Sequence, residues 1–347
     1  MTKKERFHAT LERRPVDRPA SWLGIPAASA IPALLAEYSV SDMAGMKAAI
    51  GDDIWPVDLP YRSPFSNAIY MAFDFAKQGH LVNEERTLNS PGYFEDIQDP
   101  AAVEEFPWPD PAAHIDQTEC RAVVREIPPE YAVLGVVWSA HFQDACAAFG
   151  METALMNMIA EPEIFRAVIN RITQFYLKAN GIFYKAAGNS LDAVLIGNDF
   201  GSQSSLMLSR ELIKEFVLPG TKALVDQAKS HGLKVIHHSC GAIREIIPDL
   251  IEIGVDAIHP IQALATGMDA NGLARDFGGA VSFCGGVDAQ NLLVNGTPDE
   301  VKTCVHKLRR LFPTGLVISP SHEAILSDIP PKNIRALFEA TNETEPG

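Results

Sequence analysis

The sequence has few cysteines, no long apolar run and no excess of basic residues. Its five cysteines are an odd number scattered over 347 residues, which favours free or metal-bound thiols over a disulfide framework. No stretch approaches the roughly 20 apolar residues that span a bilayer. The basic N-terminus is not followed by the apolar segment of a secretion signal. We therefore expect a cytoplasmic protein that does not enter a membrane.

The charge balance argues against nucleic acid as a partner. The chain has 29 Lys and Arg against 44 Asp and Glu, a formal net charge of −15. Binding to nucleic acid or to an anionic membrane surface needs a basic face that displaces counterions. With 47% apolar residues and 21% charged residues, the chain can bury a full core. The acidity by itself identifies no substrate.

Short apolar segments alternate with amphipathic helices along the chain. Most of these segments are rich in β-branched residues, and they end near Gly, Asp, Ser or Pro, as strands do. Nearly apolar strands separated by helices predict a parallel sheet that is buried on both faces. Eight such units favour a single (β/α)8 barrel over residues 1–347 rather than a doubly wound sheet. The predicted strands are 19–25 and 54–59, which are the weaker two, and 131–137, 192–197, 233–238, 256–261, 280–284 and 315–319.

Residues 62–130 do not follow this alternation. The segment 83–97 predicts a hairpin around Asn89-Ser90-Pro91-Gly92, and 106–114 is a proline-rich connection. We interpret 62–130 as an excursion inserted after the second strand, which serves as a lid or as an interface.

In a (β/α)8 barrel, catalytic side chains lie at the C-terminal ends of the strands. Polar and aromatic residues do follow the predicted strands here, as expected for an active site at that face. They are Asp58, Trp138, His141, Asp199, Gln203, His238, Cys240, His259, Cys284, Asp288, His322 and Glu323.

His238 and Cys240 are the strongest metal candidates among these residues. Residues i and i+2 of a strand share a face, so the two side chains point the same way while His237 points the other. An imidazole and a thiolate make half of a zinc site, and three protein ligands with an open position are typical of catalytic zinc. His322 and Cys284 are candidates for the third ligand, ahead of His259. The pair also has a simpler reading as two ordinary core side chains.

Other candidates have structural alternatives too. Asp199 can terminate a strand and cap the next helix. Cys284 can be a packed thiol beneath the site, and Trp138 and His141 can be packing and capping residues. Asp288 follows a Gly-Gly turn, which suits either a ligand or tight strand-to-helix packing.

Five segments carry a family resemblance across nearly the whole chain. They are KKERFHATLERRPVDRPASW, GNDFGSQSSLMLSRELIKEFVLPGTK, HHSCGAIREIIPDLIEIGVDAIHPIQ, FCGGVDAQNLLVNGTPDEV and ISPSHEAILSDIPPKNIRALFEA. With these segments the chain resembles the uroporphyrinogen decarboxylase superfamily, and within it the corrinoid-dependent methyltransferases. The resemblance implies a (β/α)8 barrel with an N-terminal extension, in agreement with the strand count.

The resemblance implies two alternative activities. The porphyrinogen decarboxylases carry an Arg-Gln-Ala-Gly-Arg stretch after the first strand, where this chain has Leu-Gly-Ile-Pro-Ala-Ala at 23–28. Without those arginines, a polyanionic tetrapyrrole would meet an acidic protein. Asp58 nevertheless stands near the essential Asp of the decarboxylases. A metal-free decarboxylase that uses Asp58, or a barrel that only binds a partner, therefore stays an alternative.

The methyltransferase branch implies zinc bound by His-x-Cys and a third ligand near the C-terminus. His238 and Cys240 match the first two positions, and His322 stands where the coenzyme M enzymes usually have Cys. The resemblance then implies methyl transfer between a small methyl donor or thiol acceptor and a corrinoid (cobalamin) on a partner protein, because this chain has no D-x-H-x-x-G motif. The direction of transfer is left open, as is a homodimer. On this reading Asp199 and Glu323 act at the reacting centre, and the substrate contacts are Trp138, His141, Gln203, His259 and Asp288.

Overall fold

The computed structural model describes residues 1–77 and 87–343, and its central feature is a barrel of eight parallel strands. Neighbouring strands pair in the order β1-β8-β7-β6-β5-β4-β3-β2. Each strand overlaps one of the eight predicted segments, so the predicted (β/α)8 fold is confirmed. The strands are β1 (Ala20–Ser21), β2 (Ile54–Asp58), β3 (Ala132–Trp138), β4 (Ala193–Gly197), β5 (Lys234–His238), β6 (Ala257–Ile261), β7 (Ser282–Val287) and β8 (Leu316–Pro320).

The join between β1 and β2 closes the barrel with one backbone hydrogen bond. Asp53 N donates to Ser21 O over 3.2 Å. The Asp53 carboxylate accepts a second bond from Ser21 N at 2.9 Å. A side chain thus supplies part of the pairing that the two-residue strand β1 is too short to make.

Helices surround the barrel, as the alternating pattern predicts. The long amphipathic segment 161–189 forms one helix, Pro162–Ala187, while the predicted helix 209–232 contains a π-helical turn just before Pro219, which lacks an amide donor. The α-helices are Lys3–Leu11, Ile31–Tyr38, Met43–Ile50, Pro111–His114, Gln117–Arg125, His141–Phe149, Met151–Ala160, Pro162–Ala187, Arg210–Leu212, Leu218–Ser230, Ile247–Glu252, Ala270–Phe277, Leu292–Asn295, Pro298–Leu311 and Pro331–Asn342. The π turn is Ile213–Val217, and the 3-10 turns are Ile69–Met71, Pro100–Glu105, Gly188–Ser190 and Arg244–Ile246.

Two apolar clusters hold this architecture together. A small cluster fills the barrel interior and includes Trp22, Leu134, Cys284 and, from the N-terminal helix Lys3–Leu11, Phe7. That helix lies across the N-terminal ends of the strands, where Ser282 Oγ donates to Thr10 O. A larger cluster packs the strands against the outer helices. No helix in the described part of the chain is long and apolar enough to cross a bilayer.

The excursion after β2 packs on the barrel through aromatic side chains. Three of its rings contact one another, those of Phe73, Phe75 and Trp108. The ring centroids of Phe73 and of Phe175, in the helix Pro162–Ala187, are 4.6 Å apart. A turn at 88–90 and one antiparallel bridge between Ala76 and Gly92 occur where the hairpin was predicted. Part of that prediction, residues 83–86, lies outside the described residues.

Candidate active site

A cavity of about 450 Å³ opens at the C-terminal ends of the strands. This is the face at which (β/α)8 barrels carry out chemistry. The cavity has both polar and aromatic walls. Its lining residues are Ile25, Asp58, Tyr70, Trp138, Ala140, Gln143, Gly197, Asn198, Asp199, His238 and Glu323.

His238 lies at the centre of the polar cluster beside this cavity. Its Nε2 is 3.5 Å from Cys240 Sγ and 3.3 Å from Asp199 Oδ1. Asp199 Oδ1 also accepts a hydrogen bond from Cys240 N at 2.8 Å, which fixes the turn after β5. His237, the preceding residue, stacks on Phe200 with 5.7 Å between ring centroids. The alternation of a strand therefore separates the two neighbouring imidazoles, as predicted.

The other nitrogen of His238 faces a second set of groups. Its Nδ1 lies 2.9 Å from His259 Nδ1 and 3.6 Å from Glu323 Oε2. His259 is fully buried and packs against Trp22, with 5.1 Å between ring centroids. A hydrogen bond between the two imidazoles requires that one Nδ1 carries a proton and the other accepts it. His259 thus helps to set the tautomer of His238.

Glu323 reaches the cluster because a short bridge holds its backbone. Ile25 N donates to Glu323 O at 2.7 Å, and the two-residue segments Ile25–Pro26 and Ala324–Ile325 pair in parallel. Gly24 has φ +86°, and a Cβ there would stand 2.3 Å from Glu323 O. Only glycine allows this close approach without displacing Glu323.

His322 lies next to Cys240 but on a different side of the cluster. The interaction with Cys240 raises the pKa of His322, and His322 Nδ1 accepts from Ala324 N at 3.0 Å. His322 lines a separate cavity of about 400 Å³, together with Gln262 and Gln290. A neutral His322 in this arrangement carries its proton on Nε2.

Charge interactions within the cluster shift several pKa values. Burial alone would raise the pKa of Asp199, but hydrogen bonds to His238 and to Cys240 N lower it to about 2. Burial would lower the pKa of His238, yet its contacts with Asp199 and Cys240 raise it well above its usual value. Burial would raise the pKa of the Cys240 thiol, but its interactions with His238 and His322 outweigh burial and lower that pKa. The cluster therefore favours a thiolate, which is the form that binds metal.

Trp138 and Asp58 form the opposite part of the cavity. Trp138 packs edge-on to His238 with 5.4 Å between ring centroids. Trp138 and Ser139 both have left-handed backbone, φ 50° and 56°, which is strained for residues other than glycine. Partial loss of water raises the pKa of Asp58, which has no hydrogen-bond or ion-pair partner among the residues described.

Four of the predicted site residues lie away from the cavity. His141 is fully buried, with Nε2 3.1 Å from Val217 O, and Gln203 is in an exposed loop. The Asp288 carboxylate accepts from the backbone amides of 290–292, so it caps the loop after β7. Cys284 is fully buried in the apolar interior, where burial raises the pKa of its thiol.

Some lining residues were assigned no role from the sequence. Asn198 and Gln143 follow β4 and β3, so their place after a strand end was a usable signal. Asn198 Oδ1 accepts from Phe142 N at 2.8 Å, and Gln143 Nε2 donates to Asp199 O at 3.2 Å. Tyr70 enters from the excursion, whose path has no periodic pattern in the sequence.

The donor atoms fit a zinc ion. Asp199, His238 and Cys240 each offer one ligand atom, and these atoms lie within 4.8 Å of one another. His238, His259 and Glu323 form a second such group, which shares His238. A mixed set of sulfur, nitrogen and oxygen donors is typical of zinc, and three ligands leave a position open for substrate. Glu323 Oε2 is buried without a hydrogen-bond partner, so a cation nearby would offset its charge.

Comparison with known proteins supports the family resemblance. A family model described as uroporphyrinogen decarboxylase (URO-D) matches residues 67–344. A methylated-thiol–coenzyme M methyltransferase of Methanosarcina mazei is 27% identical over 206 residues, which are 59% of this chain and 52% of that protein. A uroporphyrinogen decarboxylase of Acidiphilium cryptum is 27% identical over 256 residues, which are 72% of this chain and 66% of that protein. The matches thus span between about half and two thirds of those relatives.

A solved structure has the same fold over the full length. A methyltransferase from Methanosarcina mazei superposes with a TM-score of 0.67 at 17% sequence identity. The superposition covers 99% of this chain and 98% of that one. At this identity the likeness shows that the two chains share a fold.

Proposed function

Because the chain belongs to the uroporphyrinogen decarboxylase family, we propose that it is a zinc-dependent methyltransferase that works with a separate corrinoid protein. The observation that carries the proposal is the convergence of His238, Cys240 and Asp199 within 4.8 Å beside the cavity. Such a donor set has no evident role in a metal-free decarboxylase.

In this proposal, His238 Nε2 and Cys240 Sγ hold the zinc, and Asp199 is the third protein ligand. The sequence favoured His322 for that position. We assign His322 a supporting role beside the Cys240 sulfur instead, because its Nδ1 accepts from Ala324 N and the neutral ring then carries its proton on Nε2. Bound zinc would lower the pKa of a substrate thiol or polarise the oxygen of a methyl ether.

The remaining residues of the cluster orient the ligands. In this assignment His238 Nδ1–H donates a hydrogen bond to His259 Nδ1, which leaves the His238 Nε2 lone pair free for the metal. Glu323 adds negative charge beside Nδ1 and so stabilises that proton. Trp138 covers the other side of the His238 ring and excludes water from it.

The rim of the cavity supports docking of a partner protein that carries the corrinoid. Several large apolar side chains are exposed in loops that follow the strands at this face. Such exposed groups are typical of interaction surfaces. They are Phe65, Tyr70, Met71, Leu264 and Leu326.

Metal analysis of the purified chain tests the proposal. We expect about one zinc per chain, and little in the variants His238→Ala and Cys240→Ala. The variants Asp199→Ala and His322→Ala separate the two candidates for the third ligand, because only loss of a ligand should remove most of the metal. Cys304→Ala, at a half-buried thiol remote from the cluster, is the matched control. A parent protein that binds no zinc under any loading condition would refute the proposal.

A decarboxylase is the second candidate function, because Asp58 opens into the cavity and one relative is named a uroporphyrinogen decarboxylase. None of the cavity-lining residues in the described part of the chain is Lys or Arg, so the carboxylates of a tetrapyrrole would find no cation there. Decarboxylation that survives Cys240→Ala in zinc-free protein would favour this candidate.

A further inference from the structure

Three carboxylates line the cavity, and among its described lining residues His238 is the one side chain that can carry positive charge. Asp58 on β2, Asp199 after β4 and Glu323 after β8 all line it, and no described lining residue is Lys or Arg. Asp199 and Glu323 are engaged with the histidine cluster. Asp58 is different, because its carboxylate makes no hydrogen bond or ion pair with any described residue. A molecule bound in this cavity would therefore meet the Asp58 carboxylate without a cationic side chain beside it.

Two aromatic side chains share the cavity with Asp58. The Trp138 indole is held over the site by the left-handed backbone of residues 138 and 139, and Tyr70 lies on the rim with 55% of its surface exposed. Aromatic faces beside a carboxylate attract ammonium groups, because the ring quadrupole and the carboxylate act in the same direction. The strained backbone at Trp138 indicates that the orientation of this ring matters to the site.

We propose that the small substrate in this cavity carries an ammonium group, which lies against Asp58 and the aromatic wall formed by Trp138 and Tyr70. The inference rests on the proposed function, since it names the class of thiol or methyl donor that the methyltransferase site takes. Coenzyme M, which is named for one relative, is an anionic thiol with a sulfonate group. A sulfonate beside Asp58 would meet a carboxylate that has no cationic partner among the described residues, so the same reaction type would use a differently charged substrate.

A basic side chain in an adjoining recess does not change this charge pattern. Arg62 lines an adjoining recess of about 480 Å³ that also contacts Asp58. Its guanidinium is well exposed and is paired with Glu119 at 3.0 Å. A surface pair of this kind contributes little to the potential inside a neighbouring cavity, because solvent screens it.

Three thiols of nearly equal size test the charge preference at pH 7. They are 2-mercaptoethylamine, 2-mercaptoethanol and 2-mercaptoethanesulfonate, and calorimetric titration into the zinc-loaded full chain gives their dissociation constants. We expect the amine to bind about tenfold more tightly than the neutral thiol, and the sulfonate to bind most weakly. Asp58→Asn should remove the difference between amine and neutral thiol, whereas Asp58→Glu should keep most of it. Asp328→Asn, in the separate cavity beside His322, should leave it unchanged.

The same series without sulfur separates this inference from the proposed function. Ethylamine, ethanol and ethanesulfonate are titrated into zinc-free protein, where thiol activation plays no part. A preference for the amine that depends on Asp58 would uphold the inference even if the protein fails as a zinc methyltransferase. Equal or tighter binding of the sulfonate in both series, or an amine preference unchanged in a folded Asp58→Asn variant, would overturn it.

Discussion

The two ends of the barrel use carboxylates in opposite ways. At the N-terminal ends of the strands, Asp53 is fully buried and bonds both Arg6 and Arg18 at 2.7 Å, and the neighbouring Asp52 pairs with Lys47. At the C-terminal ends, Asp58 of the same strand region has no cationic partner among the described residues. Only five positions along the chain therefore separate Asp53, whose charge is neutralised, from Asp58, whose charge is not.

This difference assigns stability to one end and chemistry to the other. Buried charges persist only when they are paired, since an unpaired one costs several kcal/mol. The N-terminal end meets that condition, whereas under the proposed function a metal and a substrate would neutralise the carboxylates at the site end.

The largest expected effect is at the site end. Cys240→Ala should reduce bound zinc to less than about one tenth of the parent level and slow methyl transfer by about 1000-fold, since zinc supplies several kcal/mol of transition-state stabilisation. Its urea-unfolding midpoint, compared between metal-free proteins, should stay close to that of the parent. Elemental analysis and a methyl-transfer assay with a corrinoid protein measure the first two quantities. A variant that keeps its zinc contradicts the assignment of Cys240.

The opposite pattern is expected at the N-terminal end. Asp53→Ala removes the fully buried carboxylate that pairs with both Arg6 and Arg18, and it should lower the free energy of unfolding by about 3–5 kcal/mol. Zinc content per folded chain should not change. Asp226→Ala, which breaks the exposed pair between Lys222 and Asp226, is the control and should cost about 0.5 kcal/mol or less. Similar losses in both variants would mean that burial does not distinguish the two pairs.

Asp144, a buried acid without a cationic partner among the described residues, predicts a pH effect. Burial raises its pKa to about 7, although the Tyr176 hydroxyl donates to it at 2.5 Å. The folded state therefore binds the proton more tightly than the unfolded state. This contribution to stability is complete below about pH 4 and is lost as pH rises through about 7. Asp144→Asn should stabilise the protein at pH 8, on the order of 2 kcal/mol, and much less at pH 4.

Urea unfolding at the two pH values measures this effect in parent and variant. Tyr176→Phe is a useful companion, because it removes the hydroxyl that favours the ionised carboxylate and should steepen the pH dependence. If Asp144→Asn has the same effect at both pH values, ionisation of Asp144 is not the cause.

The smallest expected change is in the stability of Asp58→Asn. Asp58 is exposed to the cavity and makes no described hydrogen bond, so its replacement should alter the free energy of unfolding by less than about 0.5 kcal/mol. Thermal and urea unfolding provide the measurement. A large loss would show that Asp58 stabilises the barrel and belongs with Asp52 and Asp53 in function.

The sequence predicted the barrel because its signals are local. Buried parallel strands appear as short apolar runs, and all eight were recognised from such runs. Alternation along β5 also separated His238 from His237 correctly, because the backbone there is regular.

The site was predicted less completely where the backbone is irregular. The register shifts between Val136 and Trp138, and two left-handed residues follow. His141 therefore turns away from the cavity, which counting from the strand end could not anticipate. Tyr70 depends on how the excursion folds back over the barrel, a long-range arrangement with no periodic signal. The distance between His322 and the other donors depends on the bridge between Ile25–Pro26 and Ala324–Ile325 in the same way.

The short first strand has a consequence for the mechanics of the whole wall. Asp53 bonds Ser21 across the seam and, through Arg6, also anchors the helix Lys3–Leu11 that lies under the strands. The Asp53 carboxylate thus links three elements: the first strand, the second strand and the N-terminal helix. Deleting the helix Lys3–Leu11 would therefore do more than uncover the N-terminal ends of the strands. It would remove Arg6 as a partner of Asp53 and so weaken the pairing between β1 and β2, at the end of the barrel opposite the candidate active site.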